Sequence, residues 1–292
     1  MLLKAKKDQF KINSKQMKKI IVAFVAMAGI LNTAEAQKDE KYLKLYYKEA
    51  KIDGKDITIT ASDPVSTEKE TKFKLKIMNK SNDYVIYKPE ESSFMINGKE
   101  MKPEEKWLLI APNESDYRVI NLKGEYNGVK NYSYTVGGLY KVAMGKAVAV
   151  ADFKLPASKN DFKTENFSCT LNNLEKETGK TVAKFNCTYT GDKMGFVFSS
   201  KPSVKMPDGN DYACKVSKGL FSKSGPTILM KGKEDSFTLV WERMQGGKSM
   251  DMQKVEMIIK WNETFAEGTP EKMKSETLQI EFDEALSNSK RK

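Results

Sequence analysis

Alternation of apolar residues with lysines is the pattern that most restricts how this chain can fold. Phe73, Leu75 and Ile77 alternate with lysines, and a period of two places alternate side chains on opposite faces of a β-strand. Similar short segments lie at 45–48, 57–61, 84–87, 94–96, 117–122 and 139–155. Polar turns such as Asn97-Gly98 separate them. Short strands with such turns predict an all-β sandwich or barrel.

The strand pattern recurs about 110 residues further along the chain. Segments 71–77 and 93–98 have counterparts at 181–187 and 203–209, each followed by an acidic turn and another strand. The roughly 255 residues after position 36 exceed the usual size of one domain. We therefore predict a tandem repeat with this order: a signal peptide at 1–36, a β-sandwich domain at 37–157, a second at 158–285, and a disordered basic tail at 286–292.

Each half resembles the immunoglobulin-like β-sandwich modules of exported bacterial proteins. A strand hairpin, a strand ending in a glycine turn at Gly98 or Gly209, and a late strand after an acidic turn carry the resemblance, which covers most of residues 43–284. The paired cysteines and packed tryptophan of antibody domains are not clearly reproduced. The resemblance implies two tandem immunoglobulin-like sandwiches that bind proteins, glycans or lipids through loops and edges.

The N-terminus has the layout of a cleaved secretory signal. Lys18 and Lys19 precede an apolar run from Ile20 to Leu31, and Ala34-Glu35-Ala36 supplies small residues for cleavage. Met17 is an alternative start. The run of about twelve residues is shorter than the roughly twenty that span a bilayer, so we expect no integral membrane anchor. The prediction is an exported protein, either periplasmic or secreted.

The charge of the chain comes almost entirely from lysine. Beyond residue 36 there are 43 basic and 37 acidic residues, a formal charge of about +6. Only Arg118, Arg243 and Arg291 are arginines, and lysine lacks the planar fork that reads base edges. We therefore expect no specific nucleic acid among the partners.

The sequence contains no histidine. Ser-His-Asp and Cys-His mechanisms, and zinc sites that depend on histidine, are therefore excluded in their usual form. A carboxylate pair or a Ser-Lys dyad remains open, but no spacing singles one out. We predict that the protein is not an enzyme and has no cofactor, with a carboxylate-dependent hydrolase as one alternative.

Three cysteines lie in the second half of the chain. Alternation turns Cys169 and Cys187 inward, and a hairpin turning at Thr178-Gly179 places them opposite each other. Exported proteins commonly oxidise such neighbours. A Cys169–Cys187 disulfide is the leading prediction, and a bond between Cys187 and Cys214 is the alternative.

Methionines supply the one cofactor alternative. Met244, Met250 and Met252 lie close in sequence, and thioether sulfurs are ligands that select Cu(I). An extracytoplasmic Cu(I) carrier is therefore an alternative function. Methionine is also an ordinary filler of protein cores.

Tyrosines mark a candidate binding surface. Tyr126, Tyr132 and Tyr134 lie in a stretch rich in glycine and asparagine, where a long loop would expose aromatic anchors. The favoured alternative is that Tyr132 and Tyr134 alternate along an ordinary edge strand. Our functional prediction is an exported, non-enzymatic binding or envelope-structural module that recognises an unknown protein or glycan of the cell envelope or exterior.

Overall fold

The computed structural model describes residues 44–215, 225–243 and 250–290. These residues belong to one compact unit that begins at Leu43. Antiparallel strands make up nearly all of the regular structure, so the all-β prediction is confirmed. The predicted signal peptide and Met244 lie outside the described residues.

Two sheets of the first half enclose its core. Sheet 1 consists of β1 (Lys44–Tyr46), β2 (Ala50–Asp53), β3 (Ile57–Thr67), β4 (Glu70–Asn79) and β9 (Ser115–Lys123). Sheet 2 consists of β6 (Ser93–Ile96), β7 (Lys99–Met101), β10 (Asn131–Val136) and β23 (Glu276–Glu281). The ring of Phe73 in sheet 1 lies 5.9 Å from Phe94 and 5.1 Å from Tyr134 in sheet 2. The two sheets therefore pack face to face through aromatic side chains.

Two sheets of the second half have the same arrangement. Sheet 3 consists of β13 (Asp161–Thr164), β14 (Phe167–Glu177), β15 (Lys180–Tyr189) and β20 (Glu234–Glu242). Sheet 4 consists of β12 (Phe153–Leu155), β17 (Ser203–Lys205), β18 (Asp211–Ala213) and β21 (Met257–Lys260). Phe185 of sheet 3 lies 5.6 Å from Phe153 of sheet 4 and 5.4 Å from Trp261, which follows β21. Each half thus has its own aromatic core between two sheets.

A fifth sheet, which we call the shared sheet, joins the halves. It consists of β5 (Tyr84–Tyr87), β8 (Leu108–Ile110), β11 (Leu139–Ala147), β16 (Met194–Val197), β19 (Thr227–Leu229) and β22 (Phe265–Lys272). The order is β19-β16-β22-β11-β5-β8, with β11 paired to β22. Backbone hydrogen bonds therefore join residues on the two sides of the predicted boundary at residue 157. That the two halves are separate domains stays a prediction.

The strand layout repeats along the chain. Strands β3 and β14 each have 11 residues and begin at residues 57 and 167, an offset of 110. Strands β4 and β15 each have 10 residues and begin at residues 70 and 180, the same offset. Strands β9 and β20 each have 9 residues. Positions in the two halves can therefore be compared one by one through the strand register.

Each half completes the other's second sheet, an arrangement that we call the reciprocal strand exchange. Strand β12 directly follows β11 but pairs with β21 of the second half. Strand β23 directly follows β22 but pairs with β10 of the first half. Leu278 and Ile280 of β23 are about 1% exposed. The C-terminal strand, predicted to belong to the second domain, therefore contributes to the first-half core.

The C-terminal residues form a short helix rather than the disordered tail predicted from residue 286. Helix α1 spans Glu284–Ser289, and Asp283 caps it by accepting a hydrogen bond from the Leu286 amide at 2.9 Å. Ser287 is 1% exposed and accepts a hydrogen bond from the Tyr46 amide at 2.9 Å. Residues 291 and 292 lie outside the described range. Apart from α1, a 3-10 turn spans Pro89–Glu91, and no helix among the described residues is long and apolar enough to cross a membrane.

Candidate binding groove

The two edges of the shared sheet approach each other. Strands β8 and β19 are the two edge strands of the shared sheet. Because neighbouring strands are about 4.8 Å apart, the two edges of a flat six-stranded sheet would be far from each other. A Cβ built on Gly225, two residues before β19, would nevertheless lie 3.7 Å from the side chain of Leu109 in β8. The segment that leads into β19 therefore reaches β8, and a short gap lies beside these two edges of the sheet.

A groove with a volume of about 620 Å³ occupies this gap. Its walls come from β8, the start of β9 and the segment that leads into β19. The lining residues include Tyr84, Trp107, Leu109, Glu114, Asp116, Arg118 and Pro226. The volume falls within the roughly 300–1,000 Å³ typical of ligand sites. The groove is the candidate functional site.

The floor beside the groove is apolar. Ile86, Val142, Met194 and Phe196 are buried, and they form one cluster with partly buried side chains that include Tyr84 and Leu109. Gly268 lies at the middle of this face, where an added Cβ would be 2.5 Å from Val142 Cγ1 and 2.8 Å from Phe196 Cε2. Because Gly268 has no side chain, Val142 of β11 and Phe196 of β16 can pack in one cluster across β22.

Trp107 is held in place at the groove by polar partners. Its indole Nε1 donates to Glu90 Oε1 at 2.6 Å, and Lys88 Nζ lies 4.4 Å from the ring centroid. Its backbone carbonyl accepts from Arg118 Nη2 at 2.7 Å. A partly exposed indole with a fixed orientation is a typical anchor for a binding partner.

Arg118 retains an unused donor. Its Nε is buried and has no hydrogen-bond partner among the residues that the structure describes. A buried donor without a partner costs free energy, about 1–3 kcal/mol. On the same wall, burial and then the charge of Glu114 raise the pKa of Tyr84. The groove thus combines aromatic rings, one cationic donor and at least one carboxylate.

The predicted tyrosine surface is not formed at two of its three residues. Tyr132 and Tyr134 are 4% and 0% exposed on β10, and the Tyr134 hydroxyl is 2.6 Å from that of Tyr87. Their strand lies between β23 and β6, so it is an inner strand and not the edge strand of the alternative. Tyr126 is half-buried, and its hydroxyl donates to the Lys123 carbonyl at 3.1 Å. The loop prediction for Tyr132 and Tyr134 is therefore wrong, because alternation turns both rings into the core.

The methionines of the Cu(I) alternative that the structure describes pack as core residues. Met252 is 0% exposed within the core of the second half, and Met250 packs against that core. Such packing is the ordinary role of methionine.

The disulfide joins the predicted pair. Cys169 and Cys187 are directly opposite in the β14–β15 hairpin, with Cα atoms 4.1 Å apart. Cys214 is a buried free thiol, and burial raises its pKa to about 11. A thiol with a raised pKa is a poor nucleophile at neutral pH. The disulfide indicates an oxidising environment.

Sequence reasoning did not single out Trp107 or Arg118. Both residue types are enriched in binding sites, and Trp107 is one of only three tryptophans. The chain matches no protein-family model, and no curated protein shows significant similarity to it.

Proposed function

We propose that the protein is an exported, non-enzymatic binding module of the immunoglobulin-like kind, and that the groove at the edges of the shared sheet receives an extended segment of a partner protein. The observation that carries this proposal is the position of the groove between two sheet edges. An extended peptide adds to such an edge through backbone hydrogen bonds. Side-chain pockets then give specificity.

The edges are open on the side of the groove. Among the described residues, β8 pairs with β5 and β19 pairs with β16, so each strand has one further side without a strand neighbour. A peptide strand in the groove can therefore pair with one of these two edges. Trp107 and Tyr84 supply aromatic anchors, and the Arg118 side chain on the groove wall supplies a positive charge for a group on the partner.

A carboxylate-dependent hydrolase is the second candidate. Glu114 and Asp116 both line the groove, so two acids are close to any bound ligand. The hydrolase reading predicts that Glu114→Gln or Asp116→Asn abolishes turnover of a glycoside substrate and leaves binding intact. The binding-module reading predicts no turnover by the unmodified protein across a panel of glycosides.

Selection from a displayed library of random 12-residue peptides tests the proposed function. Trp107 is the partly exposed tryptophan, whereas Trp241 and Trp261 are 0% and 2% exposed, so a bound peptide is expected to shift the emission of Trp107. We expect the affinity of the enriched peptides to be at least tenfold lower for the Arg118→Gln variant than for the unmodified protein. Lys184→Gln, on a different sheet, is the matched control and is expected to change affinity less than twofold.

Two results would contradict the proposal. The first is that no peptide is enriched over a parallel selection on a Trp107→Ala variant whose circular dichroism matches that of the unmodified protein. The second is that enriched peptides bind but neither protect the Leu109 amide from hydrogen exchange nor respond to Arg118→Gln. Either result would place peptide recognition away from the groove.

A further inference from the structure

The outer face of sheet 1 differs in kind from the rest of the described surface. Four large hydrophobic side chains stand out as exposed, and three of them, Met78, Tyr117 and Val119, lie on this face at 44%, 51% and 46% exposure. They belong to adjacent strands, β4 and β9. Grouping of exposed apolar side chains on one face marks an interaction surface more often than scattered ones do.

A column of lysines lies beside these apolar residues. Lys72, Lys74 and Lys76 alternate along β4 with buried residues. The backbone positions of neighbouring lysines are therefore about 7 Å apart along the strand. In the register, Lys76 is opposite Tyr117 and Lys74 is opposite Val119. Lys74 Nζ lies 4.0 Å from the centroid of the Tyr117 ring. Lys72 Nζ lies 2.5 Å from Glu70 Oε1, whereas Lys76 is exposed and has no ion pair among the described residues.

Hydroxyl groups form the next column. Thr60 of β3 is opposite Lys76, and Ser62 is opposite Lys74. The face therefore presents parallel columns of hydroxyls, ammonium groups and a column that contains an aromatic ring. Its inner strands have their backbone groups engaged in the sheet ladder, so the face offers side chains and not an open strand edge.

The second half serves as an internal comparison. Through the register, Lys76 and Tyr117 correspond to Asn186 and Ser236 of sheet 3, which are likewise opposite each other. The outward positions of β4 and β9 carry four lysines and one glutamate: Glu70, Lys72, Lys74, Lys76 and Lys123. The corresponding positions of β15 and β20 carry two lysines and two glutamates: Lys180, Lys184, Glu234 and Glu242. The same fold thus forms without the basic and aromatic columns, so folding does not require them.

We propose that the outer face of sheet 1 binds a linear polysaccharide that carries carboxylates, a polyuronate. The lysine column is complementary to repeated carboxylates, the hydroxyl column matches sugar hydroxyls, and the exposed face of Tyr117 packs on the apolar face of a sugar ring. The columns lie on adjacent strands, so a polymer that crosses the strands contacts all of them. This proposal does not depend on the groove, so the two can succeed or fail separately.

Binding of the full chain to polygalacturonate, followed by calorimetry at several salt concentrations, tests the proposal. Lys74→Gln/Lys76→Asn is expected to lower the affinity at least tenfold. It is also expected to reduce the slope of log affinity against log salt by about 1.5, because two charges are removed and each contributes about 0.7–0.9 to the slope. Tyr117→Ser, which installs the residue of the second half, is expected to lower affinity about fivefold with the slope unchanged. Lys180→Gln/Lys184→Gln removes the same charge from sheet 3 and is expected to change affinity less than twofold.

Several outcomes would overturn the proposal. Equal losses for the sheet 1 and sheet 3 lysine pairs would mean that net charge, not this face, drives binding. Equal affinity for polyglutamate or for phosphatidylglycerol vesicles would identify an acidic peptide or a membrane surface as the fitting partner. Absence of polygalacturonate binding at low salt would refute the proposal directly. Neutral dextran is expected not to bind.

Discussion

Loss of the Cys169–Cys187 disulfide is expected to cost the protein about 3 kcal/mol of unfolding free energy through the unfolded state alone. The two cysteines are separated by 18 positions in sequence. In the chain-entropy description, a cross-link that closes a loop of this length restricts the unfolded chain by about 3 kcal/mol at 25 °C. The bond lies in the hairpin at the centre of sheet 3, so its loss weakens the second half first.

The double variant Cys169→Ala/Cys187→Ala measures this cost. It also removes two buried sulfur atoms, each worth about 1 kcal/mol of packing. Cys214→Ala removes one buried sulfur without touching a cross-link and is therefore the matched control. The expected difference between the double variant and twice the control is about 3 kcal/mol, read from urea unfolding curves with the slope fitted separately for each variant, because removing the cross-link changes the unfolded chain.

Thiol counting checks the same bond independently. The denatured protein is expected to show one reactive thiol before reduction and three afterwards, since Cys214 is the free cysteine of the three. Three thiols before reduction would mean that the bond is not formed. A double variant that loses no more stability than twice Cys214→Ala would refute the cross-link argument.

Three further predictions concern the shared sheet, the buried tyrosines and the last strand. Gly268→Ala is expected to cost about 1–3 kcal/mol in urea unfolding, because its Cβ would overlap Val142 and Phe196, whereas Gly128→Ala has open space and is expected to be neutral. Burial raises the pKa of Tyr47 to about 12 from its ordinary value near 10. The contribution of the neutral hydroxyl to stability is therefore complete below pH 10 and is lost as the pH rises through 12. The free energy of unfolding is expected to fall less steeply over that range in Tyr47→Phe. Truncation after residue 275 removes the buried Leu278 and Ile280, each worth about 2 kcal/mol, and is expected to destabilise the first half, seen as a changed emission of Trp107.

Clear results would contradict each of these. Equal stability of Gly268→Ala and Gly128→Ala would mean that the side chains over Gly268 move aside freely. Identical alkaline profiles for the unmodified protein and Tyr47→Phe would mean that Tyr47 does not titrate differently in the folded and unfolded states. An unchanged unfolding midpoint after truncation would mean that β23 does not complete sheet 2.

Local patterns in the sequence predicted the features that depend on neighbouring residues. Alternation placed Phe73, Leu75 and Ile77 in the core, and the symmetry of one hairpin placed Cys169 opposite Cys187. Both results follow from the two-residue period of a strand. The same rule explains the burial of Tyr132 and Tyr134, where a composition rich in glycine and asparagine was misleading.

The features that sequence reasoning missed depend on distant residues. Pairing of β10 with β23 joins segments more than a hundred residues apart, and no local period indicates which distant strand is the partner. The groove likewise needs Leu109 and Gly225 to meet, which depends on how strands distant in sequence are ordered in the shared sheet. The helix at 284–289 had one usable signal, Asp283 before Glu284 and Leu286, a common helix start.

The reciprocal strand exchange sets an order on how the protein matures as it is made. Strand β12 is synthesised before the rest of the second half, so it is already present when its partner β21 is made. The first half must wait for β23, whose first residue is 140 positions after the end of β10 at Val136. At about 5–20 residues per second, that delay is roughly 7–28 s. During this time, the side of β10 that later pairs with β23 has no strand partner. A newly made molecule can therefore pair there with a strand of another chain before its own β23 is available.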